Sequence, residues 1–189
     1  MGKIAIVTDS TANLTDSSLD NLYMIPLQVR INDQEYKDRV EISPEEFFNR
    51  LETSEKLPTT SQPPVGNFVQ LYEELLEEYD HILSIHLSKG LSGTVKAADL
   101  AANMVEGDVR VVDSDTISAS LGILARELAK EAQQNNNIDE LLTLASSLKE
   151  KIKIYFTVDD LTHLEKGGRI GKASALLGSL FNISPLLTL

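Results

Sequence analysis

The chain contains no cysteine, which removes disulfides, thiolate metal sites, iron–sulfur clusters and cysteine nucleophiles from consideration. A cysteine-free chain suits a reducing compartment, and a cytoplasmic location is the expectation. Long apolar runs are missing too: no uninterrupted stretch approaches the roughly 18 to 20 residues of a membrane-spanning helix. The opening strand-like run "KIAIVTDS" passes straight into polar residues and not into a small-residue cleavage site, so no export signal is expected. Basic residues are in deficit, 17 against 29 acidic for a net charge of −12, which repels polyphosphate and excludes nucleic acid as a natural partner. The same charge disfavours docking on an acidic leaflet, and no stable membrane insertion is expected. Neither a cofactor nor a metal ion is called for.

What is present is a chain of 189 residues, long enough for one domain and part of another. "IAIV", Ile4 to Val7, is short, continuous and largely β-branched, the pattern of a strand covered on both faces. Ile25, Leu27, Val29 and Ile31 alternate as one further strand and run into "NDQE", a turn leading to a short return segment. In "SPEEFFNRLE", Ser43 reads as N-cap, Pro44 as first helical residue and Glu46 as the partner in a capping box. After the loop "LPTTSQPPVG", Phe68, Tyr72, Leu75, Leu76 and Tyr79 fall at helical spacing before the buried-strand run "HILSIHLS". Val95, Ala98, Ala102 and Val105 mark the next helix and "DVRVVDS" the next strand. Leu121, Leu124, Leu128 and Ala132 give another helix, "QQNNN" breaks it, and Ile138, Leu141, Leu142, Ala145, Leu148 and Ile152 give the next, after which the tail reads as a strand, a helix and a glycine-rich basic segment. The alternation predicts an α/β fold, a mostly parallel sheet with helices on both faces. Residues 1–151 are expected to form this domain. Residues 152–189 are expected to begin a second α/β domain, left incomplete where the sequence stops on "ISPLLTL".

Three polar turns follow strand-like runs: Asp9-Ser10, Ser88 to Thr94, and Asp113-Ser114. In an open parallel sheet such strand ends share one edge, where ligands bind, although Asp, Ser and Thr there also serve as helix caps. "SKGLSGT" falls one position short of the G-x-S-x-G nucleophile elbow, because Gly90-Leu91-Ser92-Gly93-Thr94 places threonine where the second glycine belongs. The one late histidine, His163, has no identifiable acidic partner and reads as a surface or packing residue. Neither glycine cluster meets G-x-x-x-x-G-K-[ST], since the lysine of "KGGRIGKAS" is followed by Ala173. What is left is a hydroxyl with backbone N–H groups at a helix N-terminus, an arrangement that binds an anion without reacting with it. A carboxylate fits. The loop "PTTSQP" offers Thr59, Thr60 and Ser61 as a second source of hydroxyls, stiffened by Pro58, Pro63 and Pro64. Gly93, Thr94, Asp9 and Ser10 are further candidates for anion contacts. Lys166, Arg169 and Lys172 form a basic patch in an acidic chain, either a solvated helix terminus or a docking surface. A hydrolase or phosphotransferase using the strand-end hydroxyls is the alternative from another class, and a pure interaction domain is a third.

The blocks "KIAIVTDSTANL", "PTTSQP", "LSKGLSGTVKAA", "VVDSDTIS" and "LTHLEKGGRIGKASALLGSLFNISPLL" together resemble the DegV family of bacterial fatty-acid-binding proteins, in that family's order and over the whole chain. The resemblance implies a two-domain α/β protein that buries one long-chain fatty acid between its domains and performs no catalysis itself. It implies that the carboxylate is held by Thr60, placed to within one position between Thr59 and Ser61, and by Ser92. It implies further that the acyl chain is presented to a separate ATP-dependent fatty acid kinase subunit for acyl-phosphate formation, with the segment holding Lys166, Arg169 and Lys172 facing an acidic partner. Members of the family continue beyond "NISPLL" and carry a later histidine on the carboxylate, which this sequence lacks. Apolar positions within Ile25 to Ile31 and Leu176 to Leu187 are candidates for lining the tail.

Overall fold

The computed structural model describes residues 2–14, 19–176 and 185–189. The chain divides into two compact units, Met1–Ile152 and Lys153–Leu189. In chain order the first unit runs β1 (Ile4–Asp9), β2 (Leu22–Ile25), β3 (Gln28–Ile31), β4 (Gln34–Lys37), α1 (Pro44–Thr53), β5 (Thr59–Ser61) and α2 (Val65–Leu76), then β6 (His81–His86), α3 (Thr94–Ala102), β7 (Asp108–Asp113), α4 (Ala119–Ala132) and α5 (Ile138–Lys151). A single 3-10 turn, Ser10–Ala12, follows β1.

Four strands form an all-parallel sheet in the order β2-β1-β6-β7. All six residues of β1 are buried, as expected of a strand covered on both faces. Alternation along the strands divides the core in two. Ile4, Ile6, Leu83 and Ile85 pack with Leu121, Leu124, Leu128 and Leu141 of α4 and α5. Ala5, Val7 and Ile82 pack with Phe68 and Tyr72 of α2 and with Ala97, Ala98 and Ala101 of α3. The predicted parallel α/β architecture is therefore present, with helices on both faces. Thr8, at 0% exposure, has a hydroxyl with no hydrogen-bond partner. Thr8→Val keeps the shape and removes that unpaired group, so urea denaturation should find the variant more stable by about 1 kcal/mol. A destabilised variant would mean that the hydroxyl is satisfied.

The alternating run from Ile25 to Ile31 is not one strand. Pro26 has no N–H to give to a ladder, and the chain changes sheets there. β2 ends at Ile25 in the parallel sheet, and β3 opens at Gln28 in a separate antiparallel sheet ordered β4-β3-β5. The "PTTSQP" stretch also differs from a plain loop, because Thr59–Ser61 forms β5 with Thr60 opposite Val29. Val29, Ile31 and Ile42 make a small core here, with Tyr36 and Phe47 against it. α1 starts as its sequence predicts, the Ser43 hydroxyl accepting from the Glu46 amide at 3.1 Å. The reciprocal half of the capping box does not form, since the Glu46 carboxylate takes Arg50 at 2.5 Å instead. Tyr79 and Val105 lie just past the ends of α2 and α3.

The second unit holds β8 (Tyr155–Thr157), α6 (Thr162–Lys166), a 3-10 segment Gly171–Leu176 and β9 (Leu186–Thr188), with β8 and β9 antiparallel. The tail-lining candidates between 177 and 184 lie outside the described residues. Among the described residues no helix is long and apolar enough to cross a membrane.

Candidate functional site

Because β1, β6 and β7 are parallel, the turns after Asp9, His86 and Asp113 emerge at one edge of the sheet. The middle turn folds onto Ser88. The Ser88 carbonyl accepts from the Leu91 and Ser92 amides at 2.9 and 3.2 Å, and its hydroxyl accepts from the Gly90 amide at 3.2 Å. α3 then starts at Thr94 from an N-cap glycine, Gly93, that offers no side-chain cap. Its first intrahelical bond is Ala97 N–H to the Gly93 carbonyl at 3.0 Å, so the amides of Thr94, Val95 and Lys96 precede the ladder and have no helical acceptor. Ser92 is half-buried, and its hydroxyl lies 2.9 Å from the hydroxyl of the buried Thr94. Two hydroxyls and a helix N-terminus in one place suit an anion.

The second hydroxyl-bearing segment reaches this turn. Thr59, Thr60 and Ser61 are exposed along β5, and Gln62 follows them. A Cβ on Gly93 would stand 2.0 Å from Gln62 Oε1, so the Gln62 carboxamide occupies the space that any side chain at 93 would need. The Gln62 side chain thus touches the residue next to Ser92. Gln62 escaped the sequence reading because nothing local to "TTSQP" says which turn its side chain touches.

Asp9 and Ser10 are placed differently from Ser92 and Thr60. Asp9 is 0% exposed and Ser10 1%, and their side-chain oxygens are occupied. Asp9 Oδ1 accepts from the Thr11 amide at 3.1 Å and the Thr11 hydroxyl at 2.6 Å; Oδ2 accepts from the Leu87 amide at 2.9 Å and lies 3.2 Å from His86 Nδ1. Burial alone would raise the Asp9 carboxyl; hydrogen bonding and electrostatic interaction with His86, joined by the bonds from Thr11 and Leu87, outweigh it and hold the group below the ordinary carboxylate value. The network continues inward. His86 Nε2 is 2.7 Å from the Ser84 hydroxyl, which accepts from the Tyr72 hydroxyl at 2.7 Å, and the Phe68 ring meets His86 edge-on at 5.2 Å. With Tyr72 donating to Ser84, Ser84 to Nε2 and Nδ1–H to Asp9, a neutral imidazole satisfies every member.

Ser84, His86 and Asp9 therefore stand in the order and at the spacing of a hydrolytic triad. All three are at 0% exposure, so no ester or amide reaches Ser84. The sequence signal was a pair of polar residues at period two, Ser84 and His86, inside an otherwise apolar strand. Their burial makes them a polar core, not a nucleophile and base.

The third turn is held from below. Lys149 on α5 donates to the Asp113 carbonyl at 2.5 Å and pairs with Asp115 at 2.7 Å; its hydrogen bond holds the Asp115 carboxyl below its ordinary value. Ser118, the N-cap of α4, has φ 62° and ψ −142°, a region that strains a non-glycine residue. Its hydroxyl accepts from Asn13 at 3.3 Å and caps no helical amide. In the second unit His163 is exposed, as are Lys166, Arg169 and Lys172, and Arg169 donates to the Gly167 carbonyl at 2.6 Å. Among the described residues no group of three or more His, Asp or Glu side chains is placed to hold a metal ion.

Comparison with known proteins gives a consistent result. A family model described as "Uncharacterised protein, DegV family" matches residues 3–189. A DegV domain-containing protein of Staphylococcus aureus (strain N315) is 42% identical over 191 residues, covering 100% of this chain and 68% of the relative. The crystal structure of DegV from Bacillus subtilis, described as a fatty acid binding protein, superposes with a TM-score of 0.92 at 38% identity, over 100% of this chain and 68% of that one. A Thermus thermophilus DegV family structure, described by its fatty acid binding, gives a TM-score of 0.89 at 38% identity, over 99% and 68%.

Proposed function

As the chain belongs to the DegV family, we propose that it binds a long-chain fatty acid, holding the carboxylate with Ser92 and Thr60 and burying the acyl tail. The observation that carries this reading is the Gln62 side chain lying against Gly93, which supports a meeting of the two hydroxyl-bearing segments at the uncapped N-terminus of α3. The helix N-terminus supplies positive potential, and the hydroxyls supply directed donors. Ser61, Gly93 and Thr94 are further candidate contacts. At about 0.8 kcal/mol per buried methylene the tail provides most of the affinity, while the head-group contacts fix orientation. On the family resemblance, the loaded protein serves a separate ATP-dependent kinase subunit that forms the acyl phosphate. The exposed Lys166, Arg169 and Lys172 suit an acidic surface on that partner.

Native mass spectrometry after mild purification should find a co-purified fatty acid. Ser92→Ala should weaken oleate binding roughly tenfold, about 1 to 2 kcal/mol, since the lost hydroxyl is only half-buried. An apo spectrum together with unmeasurable oleate affinity would overturn the reading; ester hydrolysis lost on Ser92→Ala would replace it with an enzyme.

A further inference from the structure

We infer that Asp9 and Ser10 are positioning residues that set the two arms of the head-group site independently, Asp9 acting through the Ser92 turn and Ser10 through the strand that carries Thr60. The inference rests on the carboxylate-binding reading above and extends it to residues that make no contact with the ligand.

The two side chains diverge from adjacent positions. Asp9 Oδ2 takes the Leu87 amide at 2.9 Å, one residue before Ser88. Ser88 in turn is anchored by its own amide to the Thr116 carbonyl at 2.8 Å, and its carbonyl gathers the Leu91 and Ser92 amides. Asp9 therefore holds the root of the turn on which Ser92 sits. Through Oδ1 the same carboxylate organises Thr11, so one group fixes the departure of the chain from both β1 and β6. Ser10 faces the other sheet. Its hydroxyl accepts from the Leu27 amide at 3.1 Å, immediately after Pro26 and immediately before β3. Leu27 also gives its carbonyl to the Asp38 amide at 2.9 Å, so both backbone groups of Leu27 are committed where the chain changes sheets. β3 then pairs Gln28 with Ser61 and Val29 with Thr60, which places β5 by the register that starts at Leu27. Both anchors are buried, at 0% and 1% exposure, where a lost acceptor leaves an amide with no water to replace it. The ligand itself contributes nothing to either bond.

The experiment is a pair of double-mutant cycles on the full chain, read by oleate affinity at a temperature where circular dichroism shows each variant folded. Ser10→Ala should weaken oleate about tenfold on its own and less than about twofold more once Thr60→Val is present, while its effect multiplies with that of Ser92→Ala. Asp9→Asn should show the mirror pattern: coupled to Ser92→Ala and independent of Thr60→Val. Multiplicative effects within Ser10/Thr60 and within Asp9/Ser92 would overturn the assignment, as would equal coupling in all four pairs. Amide hydrogen exchange reads the same claim without a ligand. Ser10→Ala should lose protection at Leu27 and along Thr59–Ser61 while sparing Ser88–Thr94, and Asp9→Asn should do the reverse. If wild-type protein fails to bind oleate but exchange follows these two patterns, the fatty-acid reading falls and the positioning stands; diffuse loss of protection in both variants sinks the positioning. Should Asp9→Asn not fold, the Ser10 arm decides by itself.

Discussion

Asp9→Ala is expected to destabilise the protein by about 3 to 5 kcal/mol, because it leaves several buried hydrogen-bond donors without an acceptor. Its carboxylate accepts from Thr11 twice and from Leu87, and it faces His86 Nδ1, all at 0% exposure of the Asp9 side chain. An alanine leaves a buried amide, an imidazole N–H and a turn without acceptors, and each such orphan alone costs about 1 to 3 kcal/mol. The pH dependence follows from the direction of the Asp9 shift, which is downward in the fold. Unfolded, the carboxyl titrates near the ordinary value of about 3.9. Between that value and the lower folded one, the unfolded state binds more protons, so acid favours unfolding. The contribution of Asp9 is complete above the unfolded value and is lost as pH falls through the folded one. Chemical denaturation from neutral pH into this acid window should show stability falling in the wild type and a shallower fall in Asp9→Ala. Parallel curves would mean that Asp9 is not the group being protonated.

Gly122→Ala should cost about 3 kcal/mol although alanine is the better helix former. In an open helix the exchange gains about 1 kcal/mol. Here a Cβ would stand 2.2 Å from the Ala12 carbonyl oxygen and 3.3 Å from the carbonyl carbon. The obstacle is backbone and not the movable end of a side chain, and Ala12 itself is 1% exposed, so the turn after β1 cannot yield cheaply. Overpacking therefore outweighs propensity, and α4 or the Ser10–Ala12 turn must shift. Gly93 presents the opposite case, since its obstacle is the end of the exposed Gln62 side chain, which can swing aside. Thermal denaturation of Gly122→Ala should show a clear drop in midpoint; an increase would place α4 further from the turn than described.

Much of the architecture was written in the sequence. Six buried residues in "IAIVTD" and the helical spacing of Phe68, Tyr72 and Leu75 reflect local periodicities that hold whatever the partners are. The Ser43 cap is equally local. What escaped was set by distance or by conflict between signals. Ile25 to Ile31 alternates perfectly, yet Pro26 splits it between two sheets, and the proline was the stronger evidence. Asp9 and Ser10 were legible as polar residues at a strand end, but whether their oxygens face a ligand or the protein depends on the amides of Leu87 and Leu27, 78 and 17 residues away. The contact of Gln62 with Gly93 has no local signature at all. Ser92 and Thr60 were legible as residue types, one on the turn before α3 and the other on a segment that forms β5.

The measurement that bears most directly on the head-group site is calorimetric titration of oleate and of oleyl alcohol, which share a tail and differ in charge. Wild-type protein should prefer oleate by at least about tenfold, and the Ser92→Ala/Thr60→Val double variant should lose most of that margin, with only the α3 N-terminus left to favour the charge and tail burial unchanged. A double variant that still prefers oleate by the wild-type margin would contradict the account, because the carboxylate would then be held by other groups.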